Sequence, residues 1–254
     1  MKILITGCSG FVGGALNNFL TDYVVSCAVR RSCGSDPEYV FESLDSNTDW
    51  SDAVTEVDVV IHIAALAHKA AEQASFEELE RVNVDATYKI AMDSSAYGVR
   101  RFIFLSSIGV NGNETGNSSF SIDSTPAPHN SYSESKYLAE EALKSICATT
   151  GMEYVIIRPP LVYGPGVKAN FLSMLKWVAR GVPLPLGGIK NNKRSLVYVD
   201  NLVDLIKVCI EHPAAANQTF LVSDDDDVST RELLVRVASA LGVKSRLLDI
   251  PPSW

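Results

Sequence analysis

The chain has 254 residues, 46% of them hydrophobic and 20% charged, which allows one sizeable core with a smaller lobe beside it. Its formal net charge of −8 argues against general binding to nucleic acid or to an anionic membrane. No apolar run approaches the roughly 20 residues of a membrane-spanning helix, and a short apolar strand begins directly after Met1. We therefore expect a cytoplasmic protein that binds neither nucleic acid nor membrane.

The cysteine and histidine patterns predict no metal or redox site. Five cysteines are scattered along the chain with no pair at metal-ligand or redox spacing, so we expect reduced thiols with structural roles. His62 and His68 lack a partner at ligand spacing. The run Asp224–Asp227 lacks the alternating ligands, the glycine and the closing glutamate of a calcium loop, which favours a solvated turn.

Short apolar runs alternate with longer segments of helical period. The clearest predicted strands are Lys2–Thr6, Val24–Val29, Val57–Ile63, Arg101–Ser106 and Tyr154–Arg158. The helical patterns between them are at about Phe11–Leu20, Phe76–Tyr97 and Tyr132–Thr149. This alternation predicts an α/β protein with a doubly wound parallel sheet and helices on both faces.

The sequence pattern changes after Arg158, where prolines and glycines interrupt the alternation of strands and helices and predict loops. A second, smaller lobe is the simplest interpretation. In this division a strand near Ser195–Val199 rejoins the main sheet, whereas a strand at Thr219–Val222 lies in the lobe. The predicted parts are 1–163 with 195–212 for the main domain, and 164–194 with 213–254 for the lobe.

A glycine-rich loop, Gly7–Gly13, follows the first strand and opens the first helix. Its glycines permit a tight turn and let backbone N–H groups approach a pyrophosphate at the helix N-terminus. The spacing is G-x-x-G-x-x-G, and the alternative interpretation is a simple strand-to-helix turn. The residues expected to contact a dinucleotide are Gly7, Ser9, Gly10, Phe11, Val12 and Gly13.

Two arginines, Arg30 and Arg31, follow the second strand at the place where an NAD-selective site usually has an acidic residue for the ribose 2′-hydroxyl. They favour the 2′-phosphate of NADP instead. Because surface arginines are common on loops, NAD stays open as the alternative.

Tyr132 and Lys136 are four residues apart on a predicted helix, so both side chains lie on one face. A tyrosine with a pKa near ~10 is a poor base at neutral pH, but a nearby ammonium favours the phenolate. By spacing alone, two surface residues would be the better interpretation. What favours an acid/base role is that Ser106 ends the predicted strand Arg101–Ser106 and Ser107 follows it, at the edge where open α/β sheets bind their ligands.

The order of these features, with Ala64-Ala65 after the predicted strand Val57–Ile63 and Asn83 on the next predicted helix, resembles the extended short-chain dehydrogenase/reductase family. Its relevant branch is the NAD-dependent epimerase/dehydratases, UDP-glucose 4-epimerase-like enzymes of nucleotide sugars with a Rossmann-type fold. The resemblance covers residue 1 to about 245. Because family members are usually longer, we expect the substrate lobe to be truncated after Trp254.

The resemblance also implies roles for residues. Tyr132 would exchange the proton of the sugar hydroxyl, Ser107, with Ser106 in reserve, would orient or relay it, and Lys136 would bind the nicotinamide ribose and lower the pKa of Tyr132. Further cofactor contacts are implied for Ala64, Ala65, Asn83, Ser106, Pro159 and Val162. Substrate contacts are implied for Ser107, Asn170, Phe171 and Arg194.

The reaction is not fixed by this scaffold. Dehydratases of the family carry an acidic pair near the serine or the tyrosine, which has little support here. Asn111 also departs from the Val-Tyr-Gly of the family. The overall resemblance favours a 4-epimerase, an isomerase acting on a UDP-hexose or UDP-N-acetylhexosamine by transient hydride transfer at C4, as in polysaccharide biosynthesis.

Two alternatives stay open. Arg30 and Arg31 favour an oxidoreductase, an NADPH-dependent reductase of a 4-keto-6-deoxy nucleotide sugar. A non-catalytic cofactor-binding regulator is disfavoured by the intact serine, tyrosine and lysine. The resemblance further implies a homodimer through the helices predicted at Phe76–Tyr97 and Tyr132–Thr149.

Overall fold

The structure is a computed structural model that describes residues 1–32, 34, 37–116 and 118–250, with the side chains of residues 68, 69, 169 and 170 outside the description. The chain divides into two compact units. The main unit comprises Met1–Pro160 and Val199–Val222. The second unit comprises Leu161–Tyr198 and the chain from Ser223 onward.

A seven-stranded parallel sheet forms the centre of the main unit. Its strands are β1 (Lys2–Thr6), β2 (Val24–Val29), β3 (Glu38–Val40), β4 (Val59–His62), β5 (Arg101–Leu105), β6 (Glu153–Arg158) and β9 (Gln218–Leu221). Their spatial order is β3-β2-β1-β4-β5-β6-β9. The central strands are buried along almost their whole length, which explains their continuous apolar runs. The strand order reverses at β1, the kind of place where such sheets bind ligands at the carboxyl ends of the strands.

Helices connect and cover these strands. The helices of the main unit are α1 (Phe11–Phe19), α2 (Ser51–Val54), α3 (His68–Gln73), α4 (Phe76–Leu79), α5 (Ala86–Ala96), α6 (Ser131–Thr150) and α8 (Val199–Glu211). Helix α1 packs against α8, and α5 packs against α6. The longest of them, α6, begins after Asn130, whose side chain accepts the backbone N–H of Ser133, and ends at Gly151 in a left-handed conformation.

The helix predicted at Phe76–Tyr97 is not continuous. A π-helical segment, Glu80–Asp85, separates α4 from α5. Asn83 lies within this segment and is buried. Segments of this kind are frequent at functional sites, so the interruption is consistent with a functional role nearby.

The second unit has a two-stranded parallel sheet of β7 (Leu161–Tyr163) and β8 (Leu196–Tyr198). Its helices are α7 (Ala169–Ala179) and α9 (Thr230–Ala240), which pack against each other. Their contact buries a small apolar cluster around Val178, Leu234 and Ala238.

The structure confirms the doubly wound parallel fold and corrects two strand assignments. The strand expected to rejoin the main sheet, β8, pairs with β7 in the second unit, and only the helix after it returns to the main unit. The strand expected in the lobe, β9, pairs with β6 in the main sheet. Both strands are short and have the same apolar character, so their sequences do not specify the partner.

The expectation of reduced cysteines is wrong for one pair, since Cys8 and Cys27 form a disulfide. Cys8 follows β1 and Cys27 lies on β2, whose pairing sets Cys27 opposite Ile5. This proximity comes from strand register and is invisible in the sequence spacing. Cys147 and Cys209 are free and buried, and Cys33 lies outside the described residues.

Over the described residues, the helices are too short or too polar to cross a lipid bilayer. Within the same part of the chain, His, Cys, Asp and Glu side chains nowhere gather in threes around a point where a metal ion could bind.

Candidate active site

The glycine loop joins β1 to α1, and close backbone contacts explain two of its glycines. Gly7 has a φ of +82°, and a Cβ there would lie 2.9 Å from the backbone nitrogen of Ala64. A Cβ at Gly13 would lie 2.2 Å from the carbonyl oxygen of Gly7. The backbone would have to move for any other residue, so glycine is required where the strand and the helix approach each other.

The start of α1 has the features of an anion-binding helix terminus. Gly10 caps the helix in an extended conformation, and the first turn has no acidic residue. Ser9 and Gly10 are exposed, Phe11 and Val12 are half-buried, and Gly13 is buried. Because the first N–H groups of a helix have no partner within it, they attract phosphate. The loop therefore fits the pyrophosphate of a dinucleotide.

Arg30 and Arg31 follow β2 directly, and both are exposed. Since β1 and β2 are parallel neighbours, the two arginines lie at the same edge of the sheet as the glycine loop. Guanidinium groups at this edge are chemically suited to a phosphate on the adenosine ribose.

A chain of hydrogen bonds fixes the tautomer of His62 at the end of β4. The hydroxyl oxygen of Thr6 accepts two backbone N–H groups, including that of Ala64 at 3.2 Å, and donates its proton to Nδ1 of His62 at 2.8 Å. The proton on Nε2 is then donated to Thr87 at 3.1 Å. Burial lowers the pKa of His62 to about 3, so the ring is neutral. This chain holds Ala64, with Ala65 half-buried beside it, next to the glycine loop.

Asn83 links the loop after β4 to α6. Its side chain accepts the N–H of Leu66 at 2.7 Å and donates to the carbonyl of Leu66 at 3.2 Å and to the hydroxyl of Ser135 at 3.0 Å. Ser135 in turn donates to the carbonyl oxygen of Tyr132 at 2.8 Å. Asn83 therefore reaches Tyr132 through the backbone of α6.

Tyr132 and Lys136 lie one turn apart on α6. Tyr132 is half-buried, and burial raises its pKa to about 12. Lys136 is only 1% exposed, and its Nζ lies 3.9 Å from the centre of the Phe104 ring, a cation–π contact. Burial lowers the pKa of Lys136 to about 7, against the opposing charge of Glu140. A nearby positive charge is what the phenolate of Tyr132 needs for stability.

Ser106 and Ser107 follow β5 but have different surroundings. Ser106 is buried, and its hydroxyl donates to a buried carboxylate. Ser107 is half-buried, and its Oγ accepts the N–H of Gly109 at 3.1 Å, so its own proton can be donated elsewhere. A Cβ at Gly109 would lie 2.7 Å from Oγ of Ser133 and 3.4 Å from Oγ of Ser107. The Ser107 turn therefore packs against the residue after Tyr132.

The remaining predicted contacts fall in both units. Pro159 is buried after β6, and its carbonyl accepts the N–H of Ile108 at 3.0 Å. Val162 is half-buried on β7 in the second unit. These two residues bracket the boundary between the units.

The predicted substrate residues other than Ser107 lie in the second unit. Asn170 is in the first turn of α7, and its side chain lies outside the described part of the structure. Phe171 is buried, with its ring 5.9 Å from that of Tyr163. Arg194 is exposed, and its Nε donates to the hydroxyl of Thr230 at 3.1 Å.

Sequence reasoning missed several residues that hold the site together. Glu140 and Arg158 form a buried ion pair beside Ser106. Asp224 was expected in a solvated turn, but it accepts the hydroxyl proton of Tyr163 at 2.9 Å. The available signal for Glu140 was its spacing, since it follows Lys136 by one helical turn on a buried face.

A glycine loop after β1, a serine after β5, and a half-buried Tyr132 one turn before the buried Lys136 on α6 define a dinucleotide-binding enzyme of the short-chain dehydrogenase/reductase type. The family model described as the NAD dependent epimerase/dehydratase family matches residues 3–223. The chain therefore belongs to that family.

One curated relative agrees with this assignment, and two solved structures share the fold. A UDP-glucose 4-epimerase of Vibrio cholerae is 46% identical, over 98% of this chain and 79% of its own length. The structure of Thermotoga maritima UDP-glucose 4-epimerase with UDP-glucose has a TM-score of 0.84 at 23% identity, covering 99% of this chain and 86% of that one. Bacillus cereus UDP-glucuronic acid 4-epimerase, in complex with UDP-glucuronic acid and NAD, has a TM-score of 0.85 at 20% identity, covering 98% and 85%.

Proposed function

We propose that the chain is an NAD(P)-dependent 4-epimerase of a nucleotide sugar, a UDP-hexose or UDP-N-acetylhexosamine, that acts by transient hydride transfer at C4. The observation that carries the proposal is the pairing of Tyr132 with a buried Lys136, next to the Ser107 turn and at the edge of the sheet that has the glycine loop. The 46% identity to a UDP-glucose 4-epimerase supports the choice of reaction.

In this proposal each catalytic side chain has a separate role. Tyr132 takes and returns the proton of the C4 hydroxyl, Ser107 donates a hydrogen bond to the C4 oxygen, and Lys136 keeps the phenolate stable. The dinucleotide held by the residues named next would supply the nicotinamide as the hydride acceptor and donor. The residues proposed to hold the cofactor are Gly7, Ser9, Gly10, Phe11, Val12, Gly13, Arg30, Arg31, Ala64, Ala65, Asn83, Ser106, Tyr132, Lys136, Pro159 and Val162.

The two units would have separate roles. The main unit would bind the dinucleotide, and the second unit would bind the nucleotide sugar through Asn170, Phe171 and Arg194. We further propose that the protein is located in the cytoplasm, where nucleotide sugars are made. Cell fractionation tests this location. In a reducing cytoplasm the sulfurs of Cys8 and Cys27 would be two adjacent thiols.

The test is an assay of the purified protein with each of NAD and NADP, and with UDP-glucose and UDP-N-acetylglucosamine as substrates. Interconversion of gluco and galacto sugars, detected by NMR without net change in cofactor redox state, is the expected result. Cofactor binding without turnover of any sugar would favour a non-catalytic regulator. Failure to bind either dinucleotide would contradict both functions.

The exposed Arg30 and Arg31 favour the second candidate, an NADPH-dependent reductase of a 4-keto-6-deoxy nucleotide sugar. We expect wild-type protein to bind NADPH more tightly than NADH in calorimetric titrations. The double variant Arg30→Ser/Arg31→Ser should lose about 10- to 100-fold in NADPH affinity, because two charge-assisted hydrogen bonds are removed, and change little for NADH. Stoichiometric oxidation of NADPH with the keto sugar would identify the reductase.

The exposed Arg180 in the second unit is the matched control, and Arg180→Ser should leave both affinities unchanged. Tighter binding of NADH than of NADPH by the wild type would remove the argument for a 2′-phosphate site. The NADPH-dependent reductase would then lose its support, and the epimerase would be the remaining catalytic function.

We also propose a homodimer through α5. Tyr88 and Met92 lie one turn apart on this helix and are 50% and 38% exposed, an apolar surface of the kind that marks an interface. Met92→Glu is expected to halve the mass measured by light scattering, because it would bury a charge. The control Val235→Glu, at an exposed apolar position on α9, should leave the mass unchanged. A monomeric wild type would contradict the proposal.

A further inference from the structure

A completely buried carboxylate, that of Glu140, lies one helical turn after Lys136 on α6. Arg158, at the end of β6, binds both of its oxygens, with Nε 2.9 Å from Oε1. The hydroxyl of Ser106, at the end of β5, donates to the same Oε1. Glu140 therefore joins the ends of two central strands to the helix of Tyr132 and Lys136.

Arg158 is held from its other side by Asn111. Its Nη1 donates to Oδ1 of Asn111 at 2.9 Å, and the Nδ2 of Asn111 donates to the carbonyl of Ser121 at 3.1 Å. Asn111 ends the turn that Ser107 begins. The buried network thus connects to the Ser107 turn at both of its ends, through Ser106 and through Asn111.

Stability alone is a poor explanation for this arrangement. A buried ion pair loses so much hydration that apolar residues of similar size often stabilise a fold as well or better. Glu140 is set apart by its place one helical turn after the buried Lys136. The Lys136 ammonium lies over the Phe104 ring and near the neutral His62 on β4, and Arg158 on β6 is bound to Glu140, so Glu140 supplies the negative charge that acts on Lys136.

We propose that Glu140 is a positioning residue for the reaction: bracketed by Arg158 and Ser106, it fixes the end of β5 against α6 and keeps the Lys136 ammonium protonated in the interior. This inference rests on the proposed role of Tyr132 and Lys136. Glu140 acts through Lys136 and through the Ser106-Ser107 strand end. The pKa of Lys136, which burial lowers to about 7 while Glu140 opposes the change, agrees with this geometry.

The test compares two variants that remove the charge in different ways. Glu140→Gln keeps the shape of the side chain but leaves Arg158 without its counter-charge, so it should lose stability along with function. The double variant Glu140→Met/Arg158→Met replaces the whole ion pair by apolar side chains and should stay folded. Glu153→Gln is the matched control, because Glu153 pairs with the buried Arg101 at the opposite end of the same two strands.

The direct readout is the titration of Lys136 by NMR in protein carrying 13C-labelled lysine, with the signal assigned by Lys136→Met. We expect the midpoint to fall by about one pH unit in Glu140→Gln, to fall less in the double variant because the positive charge of Arg158 is removed with the carboxylate, and to stay unchanged in Glu153→Gln. The alkaline limb of the pH profile of kcat should move by the same amount, with kcat above neutral pH lowered about tenfold and KM little changed. Because the titration needs no substrate, it tests Glu140 even if no sugar is turned over.

A lower melting temperature in the Glu140 variants, with the Lys136 midpoint and the pH profile of the wild type, would overturn the proposal and leave Glu140 a structural residue. An unchanged Lys136 midpoint in the double variant alone would overturn it as well, since that variant lacks the carboxylate. A shifted midpoint in a protein without epimerase activity would support the role of Glu140 and count against the proposed function.

Discussion

Tyr132→Phe is expected to lower kcat for sugar epimerisation by about 10²–10⁴-fold, the range that a positioned acid/base group contributes. The ring stays in its half-buried place on α6, so the helix and the contact of the Ser107 turn with it are preserved. Only the group that accepts the hydroxyl proton is removed. Cofactor affinity, measured by calorimetry, should fall by no more than about tenfold, because Tyr132 is one of many residues proposed to hold the cofactor and loses a single hydrogen bond.

The matched control for this variant is Tyr137→Phe, which removes a second half-buried tyrosine hydroxyl from the same helix. It should keep wild-type kcat and the wild-type pH profile. Equal rates for the two variants would show that Tyr132 does not handle the proton. A much larger loss of cofactor affinity in Tyr132→Phe, in proportion to the loss of kcat, would mean that Tyr132 acts mainly in cofactor binding.

Lys136→Met is expected to have two opposite effects, a fall in kcat of about 100-fold or more and a rise in stability. The fall follows because the phenolate of Tyr132 loses its neighbouring positive charge. The rise follows because methionine fills a similar volume against Phe104 without the cost of burying an ammonium. We expect roughly 1–4 kcal/mol of added unfolding free energy at pH 6, measured by urea denaturation.

The pH dependence of this stability gain has a definite sign. The pKa of Lys136 is about 7 in the folded protein and near its ordinary value of 10.5 in the unfolded chain. Below pH 7 the ammonium is charged in both states, so the full cost of burial is present. Between these two values the unfolded chain binds more protons, and wild-type stability rises with pH. The advantage of Lys136→Met should therefore shrink across this window and vanish above it.

Lys144→Met is the control, because Lys144 lies on the same helix with its ammonium at the surface, paired with Glu141. It should change neither kcat nor the slope of stability against pH. A Lys136→Met variant that is less stable than wild type at pH 6 would mean that the ammonium makes favourable contacts that outweigh its burial.

Local sequence pattern was sufficient for the elements that form the core of the fold. Alternating apolar runs and helical periods predicted β1 and β2 with the bounds that the structure has, and the parallel doubly wound sheet is confirmed. The glycine loop was equally readable, since a backbone that must approach within a few ångströms of Gly7 and Gly13 leaves glycine as the one residue type that fits. The spacing of Tyr132 and Lys136 placed them on one face of a helix.

The sequence alone predicted most of the strands and helices and the candidate site residues, because both depend on spacing within a few residues. Only the tertiary structure decided which strands pair. In the structure β9 belongs to the main sheet and β8 does not, the predicted helix is interrupted at Asn83, and Cys8 is joined to Cys27. It also brought Glu140 and Arg158 together across α6 and β6. Pairing of this kind depends on strand register and on the burial of charges far apart in the chain, and neither leaves a periodic trace in the sequence.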